Sequence, residues 1–76
     1  MRIRVLLFGP LAEAAGADTI LLELPDGATV GDVPGSVDGV NGGRSFAFAV
    51  NASYAPADRP LEDGDEVALI PPVSGG

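Results

Sequence analysis

Residues 2–16 read RIRVLLFGPLAEAAG, and a change of period inside that stretch decides the architecture. Arg2 to Phe8 alternates, with Ile3, Val5 and Leu7 on one face and Arg2, Arg4, Leu6 and Phe8 on the other. Period two over β-favouring residues predicts a strand. Gly9-Pro10 stops it. Pro10 suits a first helical position, and Leu11 to Ala15 then predicts a short helix closed by a glycine cap at Gly16. Further out, Thr19 to Leu24 alternates again, Ile20, Leu22 and Leu24 against Thr19, Leu21 and Glu23, and Pro25-Asp26-Gly27 reads as a turn.

The middle of the chain is the least regular. Thr29 with Asp32 is a weak form of the capping box, opening a helix at Val30. Val30, Val33, Val37 and Val40 recur at helical spacing and suggest one buried stripe. Pro34, Gly31, Gly35 and Gly39 oppose a regular helix, since an interior Pro costs about 3 kcal/mol and each Gly about 1 kcal/mol relative to Ala. One helical turn followed by irregular structure to Gly43 is the expectation. Alternation resumes in Phe46 to Val50, Asn51-Ala52-Ser53 turns the chain toward a short strand around Tyr54, and Asp63-Gly64-Asp65 is a further turn. Glu66 to Ile70 reads as the last strand, ended by Pro71-Pro72. The order β-α-β-turn-(α)-β-β-β predicts an α+β fold, a mixed sheet packed on one main helix. Placing the first and last strands side by side in its centre gives a β-grasp arrangement, with a domain over residues 1–72 and a flexible tail over 73–76.

The 76 residues fit one domain with an expected stability of about 4–11 kcal/mol. Apolar residues make up 46% of the chain, too many for a solvated disordered tail. No apolar run reaches the roughly 18–20 residues of a membrane helix. The opening MRIRVLLFGPLAEAAGA has the ingredients of a secretory signal, yet its apolar stretch ends at Gly9-Pro10 and Glu13 follows, so it reads as the first strand of a cytoplasmic protein. Cysteine and histidine are both absent, which removes thiolate metal sites, disulfides, cysteine nucleophiles and the commonest general base. A self-sufficient enzyme is not expected. The formal charge of −7 offers no basic footprint for nucleic acid and repels anionic membranes. It suits either a basic protein partner or solubility alone.

Asp58, Glu62, Asp63, Asp65 and Glu66 form an acidic cluster that lacks the spacing of a calcium loop, so no metal is expected and charges at the 63–65 turn are expected to stay solvated. Gly39-Val40-Asn41-Gly42-Gly43 matches no phosphate-binding pattern, and there is no lysine to complete one. Ser36, Ser45, Ser53 and Ser74 have no histidine to activate them. The end of the chain remains. From Pro71 the last six residues reach roughly 20 Å when extended. The two prolines stiffen the base, and Gly75-Gly76 removes every Cβ from the tip, a shape that enters a channel closed to side chains. The Gly76 carboxylate is a poor electrophile unless a partner turns it into an acyl-adenylate. On Gly-Gly alone, a frayed small-residue terminus is the favoured reading.

Ala49-Val50-Asn51, Tyr54, Asp58-Arg59-Pro60-Leu61, Asp63-Gly64-Asp65-Glu66-Val67 and Pro71-Pro72-Val73-Ser74-Gly75-Gly76, in that order, resemble the small subunit of molybdopterin synthase, within the MoaD/ThiS-type sulfur carriers of ubiquitin-like β-grasp fold. Val5-Leu6-Leu7-Phe8-Gly9-Pro10-Leu11 with Glu13-Ala14-Ala15-Gly16 looks like the family's first strand and helix, so the resemblance covers nearly the whole chain. It implies that Gly76 is adenylated by an E1-like adenylyltransferase, with a transient AMP adduct, and converted to a thiocarboxylate (1-thioglycine), with no other cofactor bound. The thiocarboxylate then donates sulfur to the pterin precursor inside the large synthase subunit, in an assembly of two small and two large subunits. The chain would act as co-substrate rather than autonomous catalyst. Gly75 gives the tail its slimness, Pro71, Pro72, Val73 and Ser74 line its path, and family position makes Phe8, Leu61 and Ile70 candidates for an apolar docking patch, with the core as the other reading of each. Ala12 stands where the family commonly has Arg, and the 30–43 segment is more broken than the family's second helix. Three alternatives stay open: a carrier for thiamine or another sulfur-containing product, a ubiquitin-like protein modifier, and a purely non-covalent β-grasp interaction module.

Overall fold

The structure, a computed structural model, describes residues 1–40 and 46–71. The period-two segment at the start forms strand β1 (Arg2–Leu7), and Pro10 opens helix α1 (Pro10–Ala15). Gly16 closes the helix at φ 81°, its N–H donating to the Ala12 carbonyl at 2.9 Å. Strand β2 (Thr19–Glu23) returns antiparallel to β1. Strands β3 (Ala47–Val50) and β4 (Ser53–Ala55) form a hairpin, and β5 (Glu66–Ile70) inserts between β3 and β1. The sheet order is β2-β1-β5-β3-β4, with β1 and β5 parallel and every other neighbouring pair antiparallel. This is the β-grasp arrangement, with the first and last strands at its centre.

One face of the sheet carries the core. Ile3, Val5 and Leu7 of β1 line up with Val67 and Leu69 of β5 and with Val50 of β3, and all six are buried. Leu11 of α1 covers them together with Leu24, Ala28 and Leu61. The largest part of the cover comes from the valine stripe, since Val30, Val33, Val37 and Val40 are all buried.

Helix α1 is the short, six-residue helix that the sequence predicts, whereas the valine stripe rides on two 3-10 turns, Val30–Asp32 and Pro34–Ser36, in place of one helical turn. Pro34 brings no N–H to an α-helical bond with Val30, so the tighter turn forms instead, with Val33 N–H donating to the Val30 carbonyl at 3.1 Å. Asp32 holds the start, its carboxylate accepting from the Thr29 N–H at 2.9 Å. Backbone bonds from Val30 to Arg59, Gly31 to Ala57 and Leu61 to Ala28 then stitch this segment to the loop before β5.

Candidate functional site

Because β1 and β5 run parallel, their C-terminal ends meet at one end of the sheet, where Pro71 leaves β5. The last paired positions are Leu7 and Leu69, so Phe8 and Ile70 sit one residue further along at that same end. Phe8 is 51% exposed and Ile70 is half-buried opposite Ala47. The sheet face away from the core is left open. Near the exit of β5 it carries Leu6 beside Ala68, with Ala49 next to Ala68 and Tyr54 next to Ala49. Three alanines (Ala47, Ala49 and Ala68) keep this half flat and apolar, and Tyr54 stands 82% exposed at its margin.

The other half of the same face is charged. Arg2 Nε lies 3.2 Å from Glu23 Oε1 across β1–β2, and Arg4 Nη1 lies 3.4 Å from Glu66 Oε2 across β1–β5. These are exposed pairs, each worth about 0–1 kcal/mol, and they define polarity more than stability. Beside the apolar end, an open groove of about 440 Å³ runs along Leu6, Phe8, Gly9, Asp18 and Thr19, with Ala12 in its wall. A small residue at position 12 leaves that groove unfilled.

The structure brings Phe8 and Ile70 together with Pro71, the described base of the tail. Pro72, Val73, Ser74, Gly75 and Gly76 lie outside the described residues. Leu61 takes the other of its two readings in the isolated chain. It is buried at 6% exposure in the core cluster, where its N–H donates to the Ala28 carbonyl at 3.0 Å and draws it beneath the valine stripe.

Asp65 is the residue that the sequence placed wrongly. Asp58, Glu62 and Asp63 are exposed, but Asp65 is buried, the one charged residue among the described residues to be so. Its carboxylate accepts from the Glu62 N–H at 2.8 Å, the Asn51 side-chain amide at 3.0 Å and Arg59 Nη1 at 3.4 Å. Burial alone would raise its pKa; the three donors and the charge of Arg59 outweigh that and hold it below the usual carboxylate range. Asn51 also accepts from the Glu66 N–H through Oδ1, so one Asn–Asp pair ties the β3–β4 turn to the start of β5. The signal lay in the sequence as an Asn directly after one strand and an Asp directly before another. Only the pairing of Val50 with Val67 brings the two together. Among the described residues no three acidic side chains gather as a metal-ligand set, and no helix is long and apolar enough to cross a membrane.

Residues 5–76 match the ThiS family. The chain is 40% identical to the molybdopterin synthase sulfur carrier subunit of Chlamydomonas reinhardtii, over the full length of both proteins. It is similar to the crystal structure of SAMP1 from Haloferax volcanii, with a TM-score of 0.78 at 30% identity and full coverage of both chains. It is also similar to a chain of the complex of subunits 1 and 2 of molybdopterin-converting factor from Helicobacter pylori 26695, with a TM-score of 0.66 at 27% identity and full coverage of both chains. The central parallel pair, the open sheet face and a match running from Val5 to Gly76 therefore agree, and the chain belongs to the ThiS family.

Proposed function

We propose that this chain carries sulfur on its C-terminal glycine as the small subunit of a molybdopterin synthase. The observation that carries the reading is the likeness to the Chlamydomonas sulfur carrier over the whole of both chains, Gly76 included. Gly76 is adenylated by an E1-like enzyme, loses AMP to a sulfur nucleophile, and leaves as a thiocarboxylate. The large subunit receives the tail while the open sheet face docks outside it, with Phe8 and Ile70 as anchors beside the exit of β5. A two-plus-two assembly follows if each large subunit of a dimer takes one carrier. The complex formed by the Helicobacter relative supports a large-subunit partner.

The test is an intact mass after incubation with the activating enzyme, ATP and a sulfur donor. One sulfur replacing one oxygen, mapped to Gly76, is the expected result; an unchanged mass under those conditions overturns it. Deleting Gly76 should abolish sulfur transfer while the described domain still folds and docks. Cofactor synthesis by the truncated chain would remove the tail mechanism.

A second reading has its own support. The chain is 35% identical to the small archaeal modifier protein 1 of Haloferax volcanii over 92% of its length. As a modifier it would form amide adducts through Gly76 that survive denaturation, whereas a carrier would not. A thiamine-pathway carrier would give the same thiocarboxylate but would fail to co-purify with a large synthase subunit.

A further inference from the structure

A partner that covers Phe8 also covers Asp18. Both line the open groove of about 440 Å³ at the end of the sheet, together with Leu6, Ala12 and Thr19. Every other residue in its wall is uncharged, so Asp18 is the groove's single charge. In the isolated chain this aspartate is exposed, and it makes no ion pair among the described residues. The nearby cations are taken: Arg2 pairs with Glu23, Arg4 with Glu66 and Arg59 with Asp65. Helix α1, which walls the groove through Ala12, contributes Glu13 and no basic residue. Docking at this end therefore strips water from a carboxylate for which the described residues supply no counter-charge, and that is costly unless the partner brings a donor.

We propose that this groove receives a lysine or arginine side chain of the large synthase subunit, with Asp18 as its counter-ion and Ala12 as the small residue that leaves room for it. The inference rests on the reading of this end of the sheet as the docking face of a sulfur carrier. The chemistry of the groove selects that occupant. An acidic side chain would meet Asp18 in a chain of net charge −7, and an apolar one would bury the carboxylate unpaired. A long basic side chain satisfies both parts of the wall, its stem against Leu6 and Phe8 and its head at the carboxylate. Phe8 and Ile70 are apolar anchors that tolerate sliding. A charge-assisted hydrogen bond beside them fixes one register and rejects a large subunit that lacks the cation.

Titration calorimetry of the full chain against the large synthase subunit of the same organism tests this. Asp18→Asn keeps the side chain's shape and the backbone bond from the Leu7 N–H to the residue 18 carbonyl, 2.9 Å long. It should weaken binding roughly ten- to hundredfold, the range expected for a lost hydrogen bond between charged groups. Asp26→Asn removes the same charge from a fully exposed turn and should change the affinity less than about twofold at physiological salt. Ala12→Arg puts a cation of the chain's own into the groove. It should weaken binding about as much as Asp18→Asn, and the two together should lose little more than either alone. Equal losses from Asp18→Asn and Asp26→Asn, or none from Asp18→Asn, overturn the counter-ion. Full affinity in Ala12→Arg shows that nothing enters the groove and overturns its occupant. Asp18→Asn decides alone if Ala12→Arg lowers the thermal midpoint of the free chain. Each of these failures leaves the carrier reading standing, whereas the absence of any complex with the unmodified chain overturns the docking reading itself.

Discussion

The Asp65 carboxylate accepts three hydrogen bonds in a place that water barely reaches, and its pKa falls although burial opposes the fall. A folded value below the unfolded one means that the native chain binds the proton less readily. The stabilisation is then fully present above about pH 4 and is lost as pH drops through the lowered folded value. Asp65→Asn should flatten that acid limb, read from urea midpoints at stepped pH, and cost about 1–3 kcal/mol at neutral pH. An unchanged limb would assign the proton uptake to other carboxylates. The neighbouring turn predicts a gain. Asn51 and Ala52 hold φ of 50° and 71° in the two-residue link between Val50 and Ser53. Asn suits that region and Ala does not. Ala52→Gly should stabilise the fold by about 0.5–1 kcal/mol after the entropy of glycine is deducted, and calorimetry should show a higher Tm.

At the scale of elements, the cover of the sheet depends on one close approach. Gly39 sits at φ 86° after the second 3-10 turn, and a Cβ there would run into the Ala14 carbonyl of α1. Gly39→Ala should cost about 2–4 kcal/mol in chemical denaturation, because backbone meets backbone and neither side has a rotamer to yield. The same region shows what a sequence records and what it omits. Alternation in β1, β2 and β5 and the spacing of four valines were legible because each reports burial on one side of one element. The form of the valine segment was less so: its contacts follow a helical period while Pro34 forces 3-10 geometry. Asp65 was placed wrongly, in solvent, and Leu61 was left between core and docking patch. Their environment is made by strands and loops distant along the chain, through the Val50–Val67 pairing and the Leu61–Ala28 bond, and no local pattern encodes it. The role of Phe8 and Ile70 rests on resemblance for the same reason, since periodicity assigns a side chain to a face and says nothing of who meets it.

For the whole molecule, a charge of −7 and a sheet face that changes from charged to apolar along its length make different contributions to docking. The charge acts before contact. Association with a basic partner should slow about tenfold or more between low and near-molar salt in stopped-flow mixing, with the dissociation rate changing far less. Phe8→Ser should do the reverse, raising the dissociation rate while leaving thermal stability nearly unchanged because the ring is half exposed. If Phe8→Ser unfolds the chain instead, the ring belongs to the fold rather than to the interface. The sheet order has a mechanical consequence as well. β5 is bonded on one flank to β1 and on the other to β3, through four residue pairs each. Tension on the chain beyond Pro71 runs along the axis of β5, so both ladders are loaded in shear at once and cannot unzip rung by rung. β1 is equally interior, while the strands that would peel easily, β2 and β4, are reached from neither end. A chain pulled from beyond Pro71 is thus clamped against extraction, and a motor pulling there should stall longer than one given a handle in the β3–β4 hairpin.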